Sequence, residues 1–334
     1  EGTVDAALAA GFEARTATVT GPTGEPVAAR FAVRTTPHAS EAIIEMAAAS
    51  GLDVLPGGIP APLSATSHGT GELIRAALDA GCTTIVLGVG GSASTDGGAG
   101  MLEALGARLT DDAGDRVPPG GGGLASLAHV DLSGLDPRLE GARIVVAGDV
   151  DNPLLGADGA AAVFGPQKGA SADDVAALDA ALAHWAELLE SQPGVRPAAI
   201  EPGAGAAGGV GDAALAALGA RREPGIEVVQ RLTGLAGAIR GADLVITGEG
   251  SLDEQSLAGK APIGVARLAA AAGIPVIAVC GRTTLSAAVL RDAGFARVHP
   301  VVDLAPDVAT AIAQAPRYLA TIGARIAAEA SALV

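Results

Sequence analysis

Four short segments concentrate the residue types that handle anions, cations and protons. The first reads Gly88-Val89-Gly90-Gly91-Ser92-Ala93-Ser94-Thr95-Asp96-Gly97-Gly98-Ala99-Gly100-Met101. It follows an apolar run and precedes an Ala-rich helical pattern, so a strand ends in a loop small enough to leave its backbone N–H groups open to a ligand. A nest or helix N-terminus of this kind receives a phosphate or a carboxylate. Glycine alone fits a turn built only for close packing, but the hydroxyls of Ser92, Ser94 and Thr95 beside Asp96 favour a polar ligand. The order G-x-x-x-x-G-K-[ST] is missing, which excludes a P-loop.

The second segment is Gly248-Glu249-Gly250-Ser251-Leu252-Asp253, followed by Gly259-Lys260-Ala261-Pro262. Two carboxylates lie just past the end of an apolar strand, where open α/β sheets place their ligands. Glu249 and Asp253 suit a hard cation such as Mg²⁺ or acceptance of a hydroxyl proton. Pro262 fits the first turn of a helix, which puts Lys260 at an N-terminus where dipole and ammonium both favour an anion. N-capping by Asp253 and a surface ion pair for Lys260 are the structural alternatives.

The third segment, Asp149-Val150-Asp151-Asn152-Pro153, runs on to Phe164-Gly165-Pro166-Gln167-Lys168-Gly169. If the chain is extended, Asp149 and Asp151 share a face, a spacing that suits a cation; a turn before proline is the alternative. An EF-hand is excluded, because Leu154 and Ala160 stand where glycine and glutamate are needed. The fourth, Thr66-Ser67-His68-Gly69-Thr70-Gly71-Glu72, reads as a polar turn opening a helix, with Thr70 as its cap. The other histidines, His38, His129, His184 and His299, show no metal-ligand spacing, so no zinc site is expected. Nor is there a G-x-S-x-G elbow for a Ser-His-Asp triad.

These segments need a scaffold, and the hydrophobic pattern supplies an α/β one. Residues 16–46 read as hairpin strands around the turn at 21–26, with runs at 16–20, 27–33 and 43–46. Strands are then expected at 83–88, 143–147, 242–247, 274–280 and 298–302. Helices are expected at 71–80, 173–189 (with Ser171 as N-cap), 263–272, 285–293 and 307–330. Strand and helix alternating at this spacing imply parallel βαβ units with right-handed crossovers. The Gly/Pro-rich stretches 117–123 and 202–211 read as loops.

Composition narrows the function classes. The 334 residues are 49% hydrophobic and carry a formal net charge of −16, which argues against a surface for nucleic acid or anionic lipid. No run of apolar residues is long enough to span a membrane, and the start shows no secretion signal. Cys82 and Cys280 sit beside apolar runs and read as buried free thiols of a cytoplasmic protein. Only two of the 21 basic residues are lysines, Lys168 and Lys260. Where arginine has replaced lysine so widely, the survivors invite a chemical reason, since a compact ammonium approaches a phosphate where a planar guanidinium does not fit.

Together these segments resemble the bacterial type-1 glycerate kinase family. The stretches that carry the resemblance are Glu1-Gly2-Thr3, TSHGTGELI at 66–74, GVGGSASTDGGAGMLEAL at 88–105, 149–154 with VFGPQKGA at 163–170, 203–211, and ITGEGSLDEQSLAGKAPIGV at 246–265. The last is the most specific. The resemblance implies ATP- and Mg²⁺-dependent phosphorylation of D-glycerate to 2-phosphoglycerate. It also implies a Rossmann-like parallel-sheet domain interrupted by a second α/β domain, with the active site in the cleft. The domains would be residues 1–11 with 225–334, and an insertion at 12–224.

On that reading Glu249, Asp253, Lys260 and Asp96 are the catalytic candidates, and Asp149, Glu249 and Asp253 the metal ligands. Glu1, Gly2, Thr3, Ser67, Gly90, Gly91, Ser92, Ser94, Thr95, Lys168, Gly248 and Gly250 would bind substrate or phosphate. Lys260→Met is expected to lower turnover far more than stability. D-glycerate is the expected partner, with neither nucleic acid nor membrane; a homodimer is one assembly the reading allows. A kinase of another small hydroxy acid, and a sensor that binds without turnover, are the alternatives. The family pattern begins about forty residues earlier, with a Pro-Asp-Lys-Phe-Lys-x-Ser motif that this sequence does not contain. The expectation is an open sheet edge, lower stability and poor activity for a chain limited to these residues.

Overall fold

A computed structural model describes residues 2–37, 39–257 and 261–330, and the chain divides into two compact units, Glu1–Gly225 and Ile226–Val334. In the first unit a six-stranded sheet has the order β1-β2-β3-β4-β7-β8. Its strands are β1 (Glu13–Thr20), β2 (Pro26–Thr36), β3 (Ala39–Glu45), β4 (Thr84–Gly88), β7 (Arg143–Ala147) and β8 (Arg221–Glu223). The short pair β5 (Arg108–Thr110) and β6 (His129–Asp131) forms a separate ribbon.

β1, β2 and β3 run antiparallel, as the hairpin pattern requires, whereas β3, β4, β7 and β8 are mutually parallel. Ile43, Ile44, Ile85, Val86 and Leu87 are fully buried, as expected of central parallel strands covered on both faces. The helix His68–Asp79 turns Leu73, Ile74 and Ala77 inward. A Cβ on its Gly71 would lie 2.3 Å from the Met101 carbonyl oxygen, so glycine is what lets this helix approach Ala99–Ala104. The 19-residue helix Ala172–Glu190 opens on a capping box between Ser171 and Asp174 and buries Leu178, Leu182, Trp185 and Leu189.

The second unit is a three-stranded parallel sheet, β11-β10-β9, made of β9 (Val245–Leu252), β10 (Val276–Thr283) and β11 (Arg297–Pro300). β10 alternates between two apolar clusters. Val276, Ala278 and Cys280 pack with Ile263, Leu290 and Phe295, and Ile277 packs with Val301, Ile322 and Ile326. Two connections are the helices Ala261–Ala271 and Ala287–Asp292. Both cysteines are free and buried, and desolvation pushes the Cys280 thiol up to about 11.

The mixed α/β architecture with parallel sheets is the expected one, and three local expectations differ. The helix expected at 71–80 starts at His68, because Thr70 is not its cap: its hydroxyl is buried against Ser50 Oγ at 3.0 Å. The helix expected at 307–330 is two, Val308–Ala313 and Ala315–Ala330, since Pro316 lacks an N–H and cannot continue a helix through Gln314. Thr3–Ala9, in the stretch assigned to the Rossmann-like domain, is a helix packed on β2 and β3 of the first unit. Among the described residues no helix is long and apolar enough to cross a membrane.

Candidate active site

At the end of β4 the chain enters the glycine-rich loop, and its acidic residue turns inward. Asp96 is 1% exposed and acts as the hub of a hydrogen-bond network. Its Oδ2 accepts from Ser67 N–H at 2.7 Å, Ser67 Oγ–H at 2.9 Å, Thr66 Oγ1–H at 3.3 Å and Gly100 N–H at 3.3 Å. Its Oδ1 accepts from Gly98 N–H at 3.2 Å. Burial pushes the Asp96 carboxyl above the ordinary range, opposed by the donors from Ser67, Gly98 and Gly100. Ser67 Oγ also accepts from Met101 N–H at 2.9 Å, so the 66–74 and 88–101 segments are tied through two side chains.

Lys168 reaches the same loop from the other side. It is 1% exposed, and its ammonium donates to the Ser94 carbonyl at 2.5 Å. Desolvation pushes it down to about 8, partly offset by attraction to Asp96. The 203–211 stretch closes the packing. A Cβ on Gly208 would meet the Ser94 carbonyl oxygen at 2.2 Å, and one on Gly209 would meet Gly97 Cα at 2.7 Å. Gly208 and Gly209 have φ of +67° and +95°, and Ala207 joins them at +56°. Such a conformation costs little for glycine and about 1 kcal/mol for alanine. The Asn152 and Pro153 carbonyls lie under Gly205, whose N–H donates to Asn152 at 2.9 Å.

The stretches 66–74, 88–101, 149–154, 163–170 and 203–211 thus meet within the first unit. The loop is less open than its sequence suggests: Ser92, Ser94, Thr95 and Asp96 are buried, and only Gly90 and Gly91 in it are exposed. The Ser94 and Thr95 hydroxyls are buried without a hydrogen-bond partner in the described structure. Asp149 is exposed at the end of β7 and accepts from Gly225 N–H at 2.8 Å, whereas Asp151 pairs with Arg222 at 2.6 Å. The two carboxylates therefore serve different partners. Gly2 is exposed, and Thr3 N–H donates to Glu45 Oε1 at 2.9 Å; Glu1 lies outside the described residues.

In the second unit Glu249 stands on β9 with its Oε1 buried and without a hydrogen-bond partner among the described residues, flanked by exposed Gly248 and Gly250. Asp253 takes the capping role: its Oδ1 accepts from Ser256 N–H at 3.2 Å, and its own N–H donates to Ser256 Oγ at 3.2 Å. Lys260 lies outside the described residues. Among the described residues, no three His, Cys, Asp or Glu side chains gather as a metal site. His68 Nδ1 is buried without a hydrogen-bond partner among the described residues, and its Nε2 is 3.9 Å from Glu72.

Sequence reasoning missed Trp185, Glu45 and Asp212. Trp185 Nε1–H donates to the Gly97 carbonyl at 2.9 Å, and a sole tryptophan amid so few aromatics was the available signal. Glu45 ends β3 in register with Gly88, a position only the sheet topology reveals. Asp212 is wholly buried, neither carboxylate oxygen has a hydrogen-bond partner among the described residues, and desolvation pushes it up to about 7, reinforced by Glu190.

The sequence profile of the glycerate kinase family matches residues 1–331. The chain belongs to the glycerate kinase family. It is 49% identical over 304 residues to "Glycerate 2-kinase" of Escherichia coli strain K12, covering 90% of this chain and 79% of that protein. With "Glycerate kinase" of Bacillus subtilis strain 168 the identity is 46% over 310 residues, covering 93% and 80%. A crystal structure of a Salmonella typhimurium LT2 protein, provisionally named glycerate kinase 2, matches with a TM-score of 0.79 and 47% identity, covering 90% of this chain and 78% of that one. As a family member this chain is an enzyme, a glycerate kinase.

Proposed function

We propose that the protein transfers the γ-phosphoryl group of ATP, taken as its Mg²⁺ complex, to the C2 hydroxyl of D-glycerate. The C2 oxygen bonds to the γ-phosphorus, the bond from that phosphorus to the β–γ bridging oxygen breaks, ADP leaves with that electron pair, and the hydroxyl proton passes to solvent water. The products are 2-phosphoglycerate and ADP. The observation that supports this most is the relationship to the Escherichia coli glycerate 2-kinase, which extends over 90% of the chain.

Phosphoryl transfer asks the protein for alignment and charge neutralisation more than for covalent chemistry. Asp96 and Lys168 supply alignment. Both are buried within the loop's foundation, so they act as positioning residues that hold Ser67, Ser94, Gly98 and Gly100 in place. The exposed Gly90–Gly91 segment is the part of that loop which meets an anionic group of substrate. Glu249, whose buried Oε1 has no hydrogen-bond partner among the described residues, would suit a Mg²⁺ ion, which takes one or two carboxylates beside phosphate oxygens and water. Such an ion, when bound, would supply neutralisation of the charge that develops on the phosphates.

The position of phosphorylation is tested by ³¹P NMR of the product and by direct feeding to enolase. Enolase consumes 2-phosphoglycerate without a mutase, so turnover without mutase supports C2 transfer. A product requiring mutase first would place the phosphate on C3 and overturn that part of the reading.

A further inference from the structure

The second unit holds a concave apolar site that none of the roles above uses. A cavity of about 460 Å³ opens at the carboxyl ends of β9 and β10. Its floor is Gly250 and Gly281, where the strands come so close that a Cβ on Gly281 would meet the Gly250 carbonyl oxygen at 2.5 Å. Val301 and Val302 form one wall, Val308 and Ile312 another. Val308 and Ile312 lie one turn apart on Val308–Ala313 and are 54% and 74% exposed. Large aliphatic side chains left in water around a concavity mark a binding site more than a packing accident. Arg282 lies at the same cavity with its side chain exposed, Nε 3.4 Å from Ser251 Oγ.

We propose that this cavity receives the purine base of the phosphoryl donor, with Arg282 on the side that faces its phosphates. The proposal rests on the kinase reading and adds to it the place where the nucleotide is recognised. Glycerate is a poor occupant, because its carboxylate and hydroxyls would lose water against aliphatic walls that return no hydrogen bonds. A flat heteroaromatic ring gains from those walls, and the volume lies within the range of small-molecule pockets. The carboxyl ends of parallel strands are where open α/β sheets hold nucleotides, and a single guanidinium suits a phosphate chain emerging from an apolar cleft. Gly250 has open space where its Cβ would point, so the strand leaves room for the ligand.

The test is photolabelling with 8-azidoadenosine triphosphate, peptide mapping of the adduct, and steady-state kinetics of Ile312→Trp beside the parent enzyme. Labelling within residues 301–315 that ATP suppresses is the expected result. Because Ile312 is mostly exposed, Ile312→Trp should fold normally and raise KM for ATP about tenfold by filling the cavity. KM for D-glycerate should stay within about twofold. Labelling confined to residues 1–225, or an unchanged KM for ATP in Ile312→Trp, would overturn the proposal even if the parent turns over glycerate. Protected labelling at 301–315 without ADP formation from D-glycerate would uphold the nucleotide pocket and refute the kinase reading instead.

Discussion

Lys168→Met should make the protein more stable and less active at once. In the folded state the ammonium is buried, pushed from 10.5 down to about 8. That depression corresponds to ~3 kcal/mol by which charging Lys168 disfavours the fold at neutral pH. Methionine removes that penalty and fills similar space, but leaves the Ser94 carbonyl without its 2.5 Å donor, at a cost of about 1–2 kcal/mol. The balance is a gain of about 1–2 kcal/mol at pH 7.

The pH dependence carries a sign that can be checked. The unfolded chain keeps the Lys168 proton up to about 10.5 and the folded chain only to about 8, so between those values the unfolded state binds more protons. Stability of the parent therefore rises with pH across that window relative to the variant, and the variant's advantage shrinks. Urea unfolding followed by the fluorescence of Trp185, the one tryptophan, measures this at pH 7 and pH 10. Turnover should fall at least about tenfold, because Ser94 and the loop lose their anchor. A Lys168→Met protein destabilised by more than about 2 kcal/mol at pH 7, or a stability difference independent of pH, would refute the reasoning.

Further variants separate positioning from packing. Asp96→Ala leaves buried N–H groups of Ser67, Gly98 and Gly100 without an acceptor and should cost about 3–6 kcal/mol. Asp96→Asn keeps an oxygen toward Ser67 and should cost only about 1–2 kcal/mol by the same urea assay. Gly208→Ala places a Cβ 2.2 Å from the Ser94 carbonyl oxygen at a φ of +67°, so a loss of at least about 3 kcal/mol is expected; Gly250→Ala, with open space around it, should unfold like the parent. The raised Asp212 carboxyl is protonated in the fold up to about pH 7, so its ionisation penalty builds between 3.8 and about 7 and persists above. Asp212→Asn should accordingly be more stable than the parent at pH 8 by about 1–3 kcal/mol, an advantage that disappears below pH 4 in thermal melts.

Local signals in the sequence were legible. The Ser171–Asp174 box fixes the start of Ala172–Glu190, and the β-branched run in β7 specifies a buried strand from its own residues. What needed distant partners was not legible. The three-residue strands β5, β6 and β8 are defined by the neighbours they pair with. The glycine-rich loop was recognisable as a strand-to-helix turn, yet nothing local told that Asp96 folds back onto Ser67, 29 residues away, or that Lys168 meets Ser94 across 74 residues. The hydroxyls that suggested ligand binding are instead largely interior. The split of Asp149 and Asp151 between Gly225 and Arg222 was equally hidden, since both partners arrive from residues 221–225.

The most direct test of the central claim is ADP release with D-glycerate and ATP, with and without Mg²⁺, by this protein joined to the N-terminal segment with which the family pattern begins. The account predicts release that requires all three and stops when EDTA removes the metal. Nucleotide binding with no glycerate-dependent ADP release, in a protein that melts cooperatively, would contradict it.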